Sequence, residues 1–241
     1  MQENRRVGLI GAMDEEIALL LEKMDQAVTQ KVYQTTYYTG TLNGTPVVVC
    51  KSGVGKVNGA ICTQVLIERF HVESIIFTGV AGALHPDLDI GDLVISTECQ
   101  QHDLDASALG FPKGTIPFQE TSVFPADPKL IEWAARAGEK LEGVQVRLGK
   151  VLSGDQFISD SGKVTELREQ LGGDCVEMEG AAVAHVCHLS GTPFVVIRSM
   201  SDRADHSADV NFTEFTKLAA ERSSVLVCEI LEQRKREKER S

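Results

Sequence analysis

The chain has 241 residues, 42% of them apolar and only 5% aromatic, enough for one large and mainly aliphatic core. A formal net charge of −11, with no basic patch, argues against nucleic acid as a partner. No run reaches the length of a membrane span and no signal-type h-region stands near the N-terminus. The six cysteines are scattered in apolar runs without a C-x-x-C pair, so a soluble, cytoplasmic protein with reduced thiols is expected.

In chain order, RVGLIGA (6–12) reads as a buried strand. EEIALLLEKM (15–24) has helical spacing, with Ile17, Leu20, Leu21 and Met24 on one face. Residues 32–52 read as a hairpin that turns at Asn43-Gly44. A helix is predicted over 56–70, and strands over 73–79 and 92–98. Residues 99–126 are the longest stretch of weak pattern, a length that marks a functional or interaction loop. A helix over 127–141 has Asp127 to cap it and Pro128 at its first position. A strand (146–153), a helix (161–171), a strand (174–178), a helix (179–189) and a strand (193–201) follow. A long helix from about Thr213 to Gln233 closes the pattern, and 234–241 is expected to be a frayed, charged tail. This alternation predicts an α/β fold of one domain, a three-layer sandwich with helices on both faces of a central mixed β-sheet.

Ligands of open α/β sheets sit beyond the carboxyl ends of the strands. The segments in that place are GAMDEE (11–16), SGVGKVNG (52–59), TGVAGAL (78–84), SGDQFI (153–158), EMEG (177–180) and RSMSDRAD (198–205). SGVGKVNG is not a P-loop, because Cys50 and Val57 stand where glycine and a hydroxyl are needed. It reads as a tight turn into a helix. TGVAGAL has no neighbouring cation, and the three acids of GAMDEE would repel phosphate.

Singly, these residues have ordinary readings. Glu16 and Glu179 suit the first turn of a helix, Asp202 suits a turn cap, and Arg198 serves equally well as the counter-ion of a glutamate. His185 and His188 read as core histidines rather than metal ligands, and His102, Asp103 and Asp105 as loop hydrogen-bonding groups. Glu177 and Glu179 together are different. At i, i+2 they share one face of an extended segment, and a buried carboxylate has to be paired or used. Acids around small turns, with few cations, suit a neutral ligand that becomes positive in the transition state. Hydrolysis of an N- or O-glycosidic bond is such a reaction. One acid protonates the leaving group, another activates water, and others hold sugar hydroxyls.

GAMDEE, KSGVGKVN, TGVAGAL, GDLVIST, SGDQFI, VEMEGAAVAHVC and PFVVIRSMSD occur in that order. The set resembles the 5′-methylthioadenosine/S-adenosylhomocysteine nucleosidases of the nucleoside phosphorylase superfamily, from about Val7 to Val227. The resemblance implies release of adenine by hydrolysis of 5′-substituted adenosines, with water as nucleophile and no cofactor or metal. It implies that Asp202 protonates nitrogen 7 of adenine and that Glu16 activates the water. Glu179 would hold the ribose hydroxyls, with Met178 beneath the sugar and Arg198 orienting Glu179. The backbone of Ile158 would read the adenine edge, and Phe157 would stack on it. Ala81 and Gly82 would line the pocket, Met13 and Phe212 would border the ribose and 5′ group, and Glu177 and Ser201 complete the substrate-binding set. The family forms homodimers, so Leu109, Phe111 and Pro117 are expected to reach the partner's pocket. Val80 departs from the family's frequent serine, and Leu109 and Phe111 from its frequent Phe and Tyr. GVAG and SGDQF also resemble the branch that cleaves 6-amino-6-deoxyfutalosine in a menaquinone route. A phosphate-dependent phosphorylase on the same scaffold is the further alternative.

Overall fold

The computed structural model describes residues 6–205 and 208–240. Strand β1 (Val7–Gly11) is buried along its whole length and lies parallel to β4 (Thr45–Lys51) on one side and β5 (Ser74–Ala83) on the other. A strand with both faces buried needs cover on both, which its uninterrupted apolar run provides for. Helix α1 (Asp14–Glu22) follows β1 directly. The next strand, β2 (Asp25–Val32), was not expected. Seven of its eight residues are exposed, and it pairs at the sheet edge with β3 (Thr35–Leu42). The hairpin of β3 and β4 turns where expected. Asn43 and Gly44 have φ of 52° and 75°, so both central residues are left-handed, as a two-residue turn between twisted strands requires.

Helix α2 (Lys56–Phe70) leads into β5, which runs on through TGVAGA to Ala83. Strand β6 (Leu93–Gln101) extends three residues beyond its expected end. Within the weakly patterned stretch, β7 (Val123–Pro125) pairs antiparallel with β6. Helix α3 (Pro128–Gly138) is capped by the Asp127 carboxylate, which accepts from the backbone of Lys129 and Leu130. Then come β8 (Val146–Ser153), α4 (Ser161–Leu171), β9 (Cys175–Glu177), α5 (Gly180–Ser190) and β10 (Phe194–Asp202). Helix α6 (Ala208–Arg240) is longer than expected at both ends. It continues through the segment expected to be frayed, where Arg234 is buried in an ion pair with Glu73.

The central mixed sheet is present, with one feature that no local pattern encodes. Strand β10 pairs parallel with β5 and antiparallel with β6, while β9 joins β8 to β5. Five strands, β5-β10-β6-β8-β9, therefore close on one another, and β1, β4, β3 and β2 extend from β5 as an open sheet. Helix α2 packs on α5, and α1 and α3 pack on α6, to supply the cover. One aliphatic core runs from Val7 to Leu231. A second, smaller cluster of Leu84, Leu152, Ile158, Leu167, Val176 and Ala204 lies under the 154–158 loop. Among the described residues no helix is long and apolar enough to cross a membrane.

Candidate active site

The carboxyl ends of β1, β5, β8, β9 and β10 converge on a cavity of about 300 Å³. Glu16, Glu177, Glu179 and Asp202 all border it, each brought by a different strand end or helix start. So do Met13, Ala81 and Gly82, the loop residues Phe157 and Ile158, and Met178, Ser201 and Phe212. Arg198 lies behind this wall, 1% exposed.

Glu16 sits in the first turn of α1 and reaches back over its start. Its Oε2 accepts from the backbone N–H of Ala12 (2.5 Å) and Met13 (3.0 Å), and Oε1 accepts from that of Val80 (2.9 Å) on β5. This approach requires a glycine at 79. A Cβ there would lie 2.3 Å from Glu16 Oε1 and 3.0 Å from Arg198 Nη1. Burial raises the Glu16 pKa, against the opposing pull of the Arg198 charge and the three backbone donors.

Glu177 ends β9 and is saturated with donors. Arg198 gives it Nη2 (2.6 Å) and Nε (3.2 Å), Ser153 donates its hydroxyl, and the N–H groups of Glu179 and Gly180 donate from the start of α5. The guanidinium also lies 3.9 Å from the centre of the Phe77 ring. This corrects the role expected of Arg198, whose ion-pair partner is Glu177 rather than Glu179. The physical reason is the chain's turn at Met178. Glu177 is the last strand residue, whereas Glu179 has non-strand angles (φ −138°, ψ −35°) at the N-cap of α5. The two carboxylates therefore do not share one face of an extended segment. Glu179 Oε1 accepts instead from the N–H of Gly55 (2.7 Å) at the N-terminus of α2. Burial first, and then the charge of Glu177, push its pKa up to about 8.

Asp202 closes β10. Its Oδ2 accepts from the Ser201 hydroxyl (2.8 Å) and Oδ1 from the backbone of Ala204 (2.7 Å). Burial raises its pKa over the lowering effect of those two donors. A β-bulge between Met200 and Asp202 sets the carboxylate opposite Gly82, where a Cβ would come within 2.7 Å of Oδ1.

On the opposite side, Phe157 is half-exposed and meets Phe212 edge-on, with ring centres 5.6 Å apart, while Ile158 is buried. Leu109, Phe111 and Pro117 do not line the cavity of their own chain. Leu109 is 70% exposed, and Phe111 packs edge-on against Phe118, itself 92% exposed. Ala12, Val54, Gln156 and Val176 line the cavity without having been singled out. Each lies in or beside a segment already chosen, so its neighbours were the signal. Val80 also lines the cavity, and its side chain packs with Ala219, Ala220, Met13 and Phe212 into an apolar end.

The other sequence candidates resolve as follows. Asp103 and Asp105 do bond within loops, to Asp155 and Ser107. The buried ring of His102 finds no partner for either nitrogen among the described residues, contrary to expectation. His185 stacks on Phe124 and His188 lies tilted against it, with ring centres 4.5 and 5.4 Å away. His185 is half-buried and His188 exposed, so they flank the core rather than enter it. Among the described residues no group of three or more His, Cys, Asp and Glu side chains is placed to hold a metal ion.

A part-closed mixed sheet with carboxylates at its strand ends defines a class, and the family model of the phosphorylase superfamily matches residues 6–232. The chain belongs to that superfamily and, within it, to the 5′-methylthioadenosine/S-adenosylhomocysteine nucleosidases. It is 41% identical to the nucleosidase of that name from Bacillus subtilis over 227 residues, 94% of this chain and 98% of the relative. The crystal structure of the Neisseria meningitidis nucleosidase in complex with methylthio-immucillin-A is similar with a TM-score of 0.92 and 42% identity, over 95% of this chain and 99% of that one. Futalosine hydrolase of Helicobacter pylori is similar with a TM-score of 0.91 at 32% identity, over 95% and 98% of the two chains.

Proposed function

We propose that this enzyme hydrolyses the N-glycosidic bond of 5′-substituted adenosines and releases adenine, using Asp202 as general acid and Glu16 as general base. The observation that carries these roles is the placement of Glu16, Glu179 and Asp202, from the start of α1, the start of α5 and the end of β10, around one cavity. Asp202 delivers its proton to nitrogen 7 of the purine. The electrons of the bond between C1′ and nitrogen 9 leave with adenine, and the ribosyl group becomes oxocarbenium-like. Water adds to C1′ and gives a proton to Glu16. A raised pKa serves both groups, because it keeps the acid protonated and makes the base stronger.

Glu179, with a single donor on its carboxylate among the described residues, accepts from the ribose hydroxyls. Met178 lies under the sugar, Phe157 stacks on the base, and the backbone of Ile158 reads the adenine edge. The apolar end formed by Val80, Met13 and Phe212 receives the 5′ group. The exposed Leu109, with Phe111 and Pro117, reaches the pocket of a second copy in a homodimer.

A second reading takes 6-amino-6-deoxyfutalosine as the preferred substrate. It is favoured by the likeness to futalosine hydrolase and by the valine at 80. Adenine release from methylthioadenosine, adenosylhomocysteine, 5′-deoxyadenosine and aminofutalosine, compared side by side in phosphate-free buffer, tests both. Fastest cleavage of aminofutalosine would favour the second reading. Cleavage that requires added phosphate would make the enzyme a phosphorylase.

A further inference from the structure

Lys56, the lysine of the turn that fails as a P-loop, takes no part in the chemistry above, yet it joins the two sides of the cavity. Its ammonium is 2.6 Å from Asp103 Oδ1 and 3.2 Å from Gln101 Oε1, at the end of β6. The other oxygen of Asp103 accepts from the backbone N–H of Asp155 (2.9 Å). Asp155 in turn accepts, through Oδ1, from the backbone N–H of Lys56 (2.8 Å). These bonds form a closed ring between the N-terminus of α2, the end of β6 and the 154–158 loop.

Gly55 and Gln156, which adjoin that ring, both serve the site. Gly55, next to Lys56, donates to Glu179 on the sugar side. It has φ of 101°, and a Cβ there would lie 3.2 Å from Asp155 Oδ1, so only glycine suits the position. Gln156, Phe157 and Ile158, which follow Asp155, form the base side of the cavity. The ion pair is sheltered, with side chains 19% and 15% exposed, so it is screened less than a surface pair.

We propose that Lys56 and Asp103 are positioning residues, whose ion pair holds the base-side loop in register with the α2 N-terminus and so fixes Phe157 and Ile158 relative to Glu179. The proposal rests on the nucleosidase reading, since it assigns base and ribose to those two sides. A transition state with a departing purine demands that both ends of the broken bond be held at once. A slip of about 1 Å in one side costs on the order of 100-fold in rate.

The test is adenine release from methylthioadenosine in phosphate-free buffer by wild type, Lys56→Met, Asp103→Asn, the double variant and Lys56→Arg, with a thermal melt of each. Asp103→Asn keeps the shape and an acceptor oxygen, which protects the fold. Both single variants lose about 10- to 100-fold in kcat/KM, mainly through kcat, the double variant is no worse than either single, and Lys56→Arg recovers part of the loss. Kinetics within twofold of wild type, or losses that simply add and follow the drop in melting temperature, overturn the proposal. Wild type that releases no adenine from any of the four nucleosides refutes the nucleosidase reading itself. An active wild type with unaffected variants refutes only the clamp.

Discussion

Asp202→Asn separates the proton from everything else Asp202 does. In the folded protein Oδ1 accepts from Ala204 N–H and Oδ2 from the Ser201 hydroxyl. Asparagine keeps the first bond unchanged. Its amide nitrogen takes the place of Oδ2, and the Ser201 hydroxyl rotates to accept from it. That hydroxyl still has a place for its own proton, the carbonyl of Ala81 at 3.4 Å. The hydrogen-bond count is conserved and a neutral amide replaces a carboxyl whose pKa burial raises, so the variant should be at least as stable as wild type near neutral pH. What disappears is an acid that can protonate the purine. Losing a general acid costs about 10²- to 10⁴-fold, or about 3–5 kcal/mol of barrier. The assay is single-turnover adenine release, paired with a thermal melt and with titration of a non-hydrolysable nucleoside analogue. The variant should melt no lower than wild type, bind the analogue and turn over slowly. Near-normal turnover would remove Asp202 from the mechanism, and loss of fold and binding together would make it structural instead.

Arg198→Met leaves the buried Glu177 carboxylate without its cation, a change that costs about 3–5 kcal/mol and lowers the melting temperature by about 6–20 °C. A shift below about 3 °C in a calorimetric scan would contradict the placement of this pair. Gly79→Ala puts a methyl against Glu16 Oε1 and should reduce kcat at least about tenfold by displacing the base; unchanged steady-state kinetics would show that Glu16 does not need its observed position. Glu179→Gln should stabilise the protein while it impairs activity. The raised carboxyl means the folded state binds more protons than the unfolded one between the ordinary glutamate range and about 8, so wild type loses stability as pH rises through that window. The variant's advantage should grow from near zero at pH 4.5 to on the order of 5 kcal/mol above pH 8. Urea unfolding of the pair at matched pH cancels other titrations, and an advantage that shrinks with pH would reverse the sign of the argument.

What was legible in the sequence was what local chemistry encodes. Asn43-Gly44 announces its turn, Asp127-Pro128 its helix start, and strand ends announce where side chains meet a ligand. The strand-end pattern therefore points to Glu16, Glu179, Asp202 and their neighbours, which line one cavity in the fold. The misses are non-local or polar. Strand β2 is an exposed edge whose DQAVTQKV has no buried face to give it a period, and β7 is three residues long and exists only through β6. Closure of β5-β10-β6-β8-β9 depends on pairings between strands far apart in sequence. The partner of Arg198 was unreadable for a related reason. Two glutamates lay two residues apart, and only the turn at Met178, set by the start of α5, decides which one faces β10.

The same turn explains how one arginine serves a site with four buried acids. A carboxylate offers about four lone-pair sites. Glu177 fills all of them, with Arg198, Ser153 and two backbone N–H groups, so its charge is neutralised and it becomes scaffold. Among the described residues Glu16 has three backbone donors and no ion pair of its own, which leaves room for one water. Among the described residues Glu179 has a single donor, at the N-cap of α2, which leaves room for two sugar hydroxyls. Asp202 has two donors and no cation among the described residues, and its burial favours a proton on its carboxyl. The number of protein partners falls from the carboxylate that builds the site to those that meet substrate. Giving Arg198 to Glu177 keeps the guanidinium close enough to temper the charge of Glu16 and Glu179 without occupying the oxygens they need.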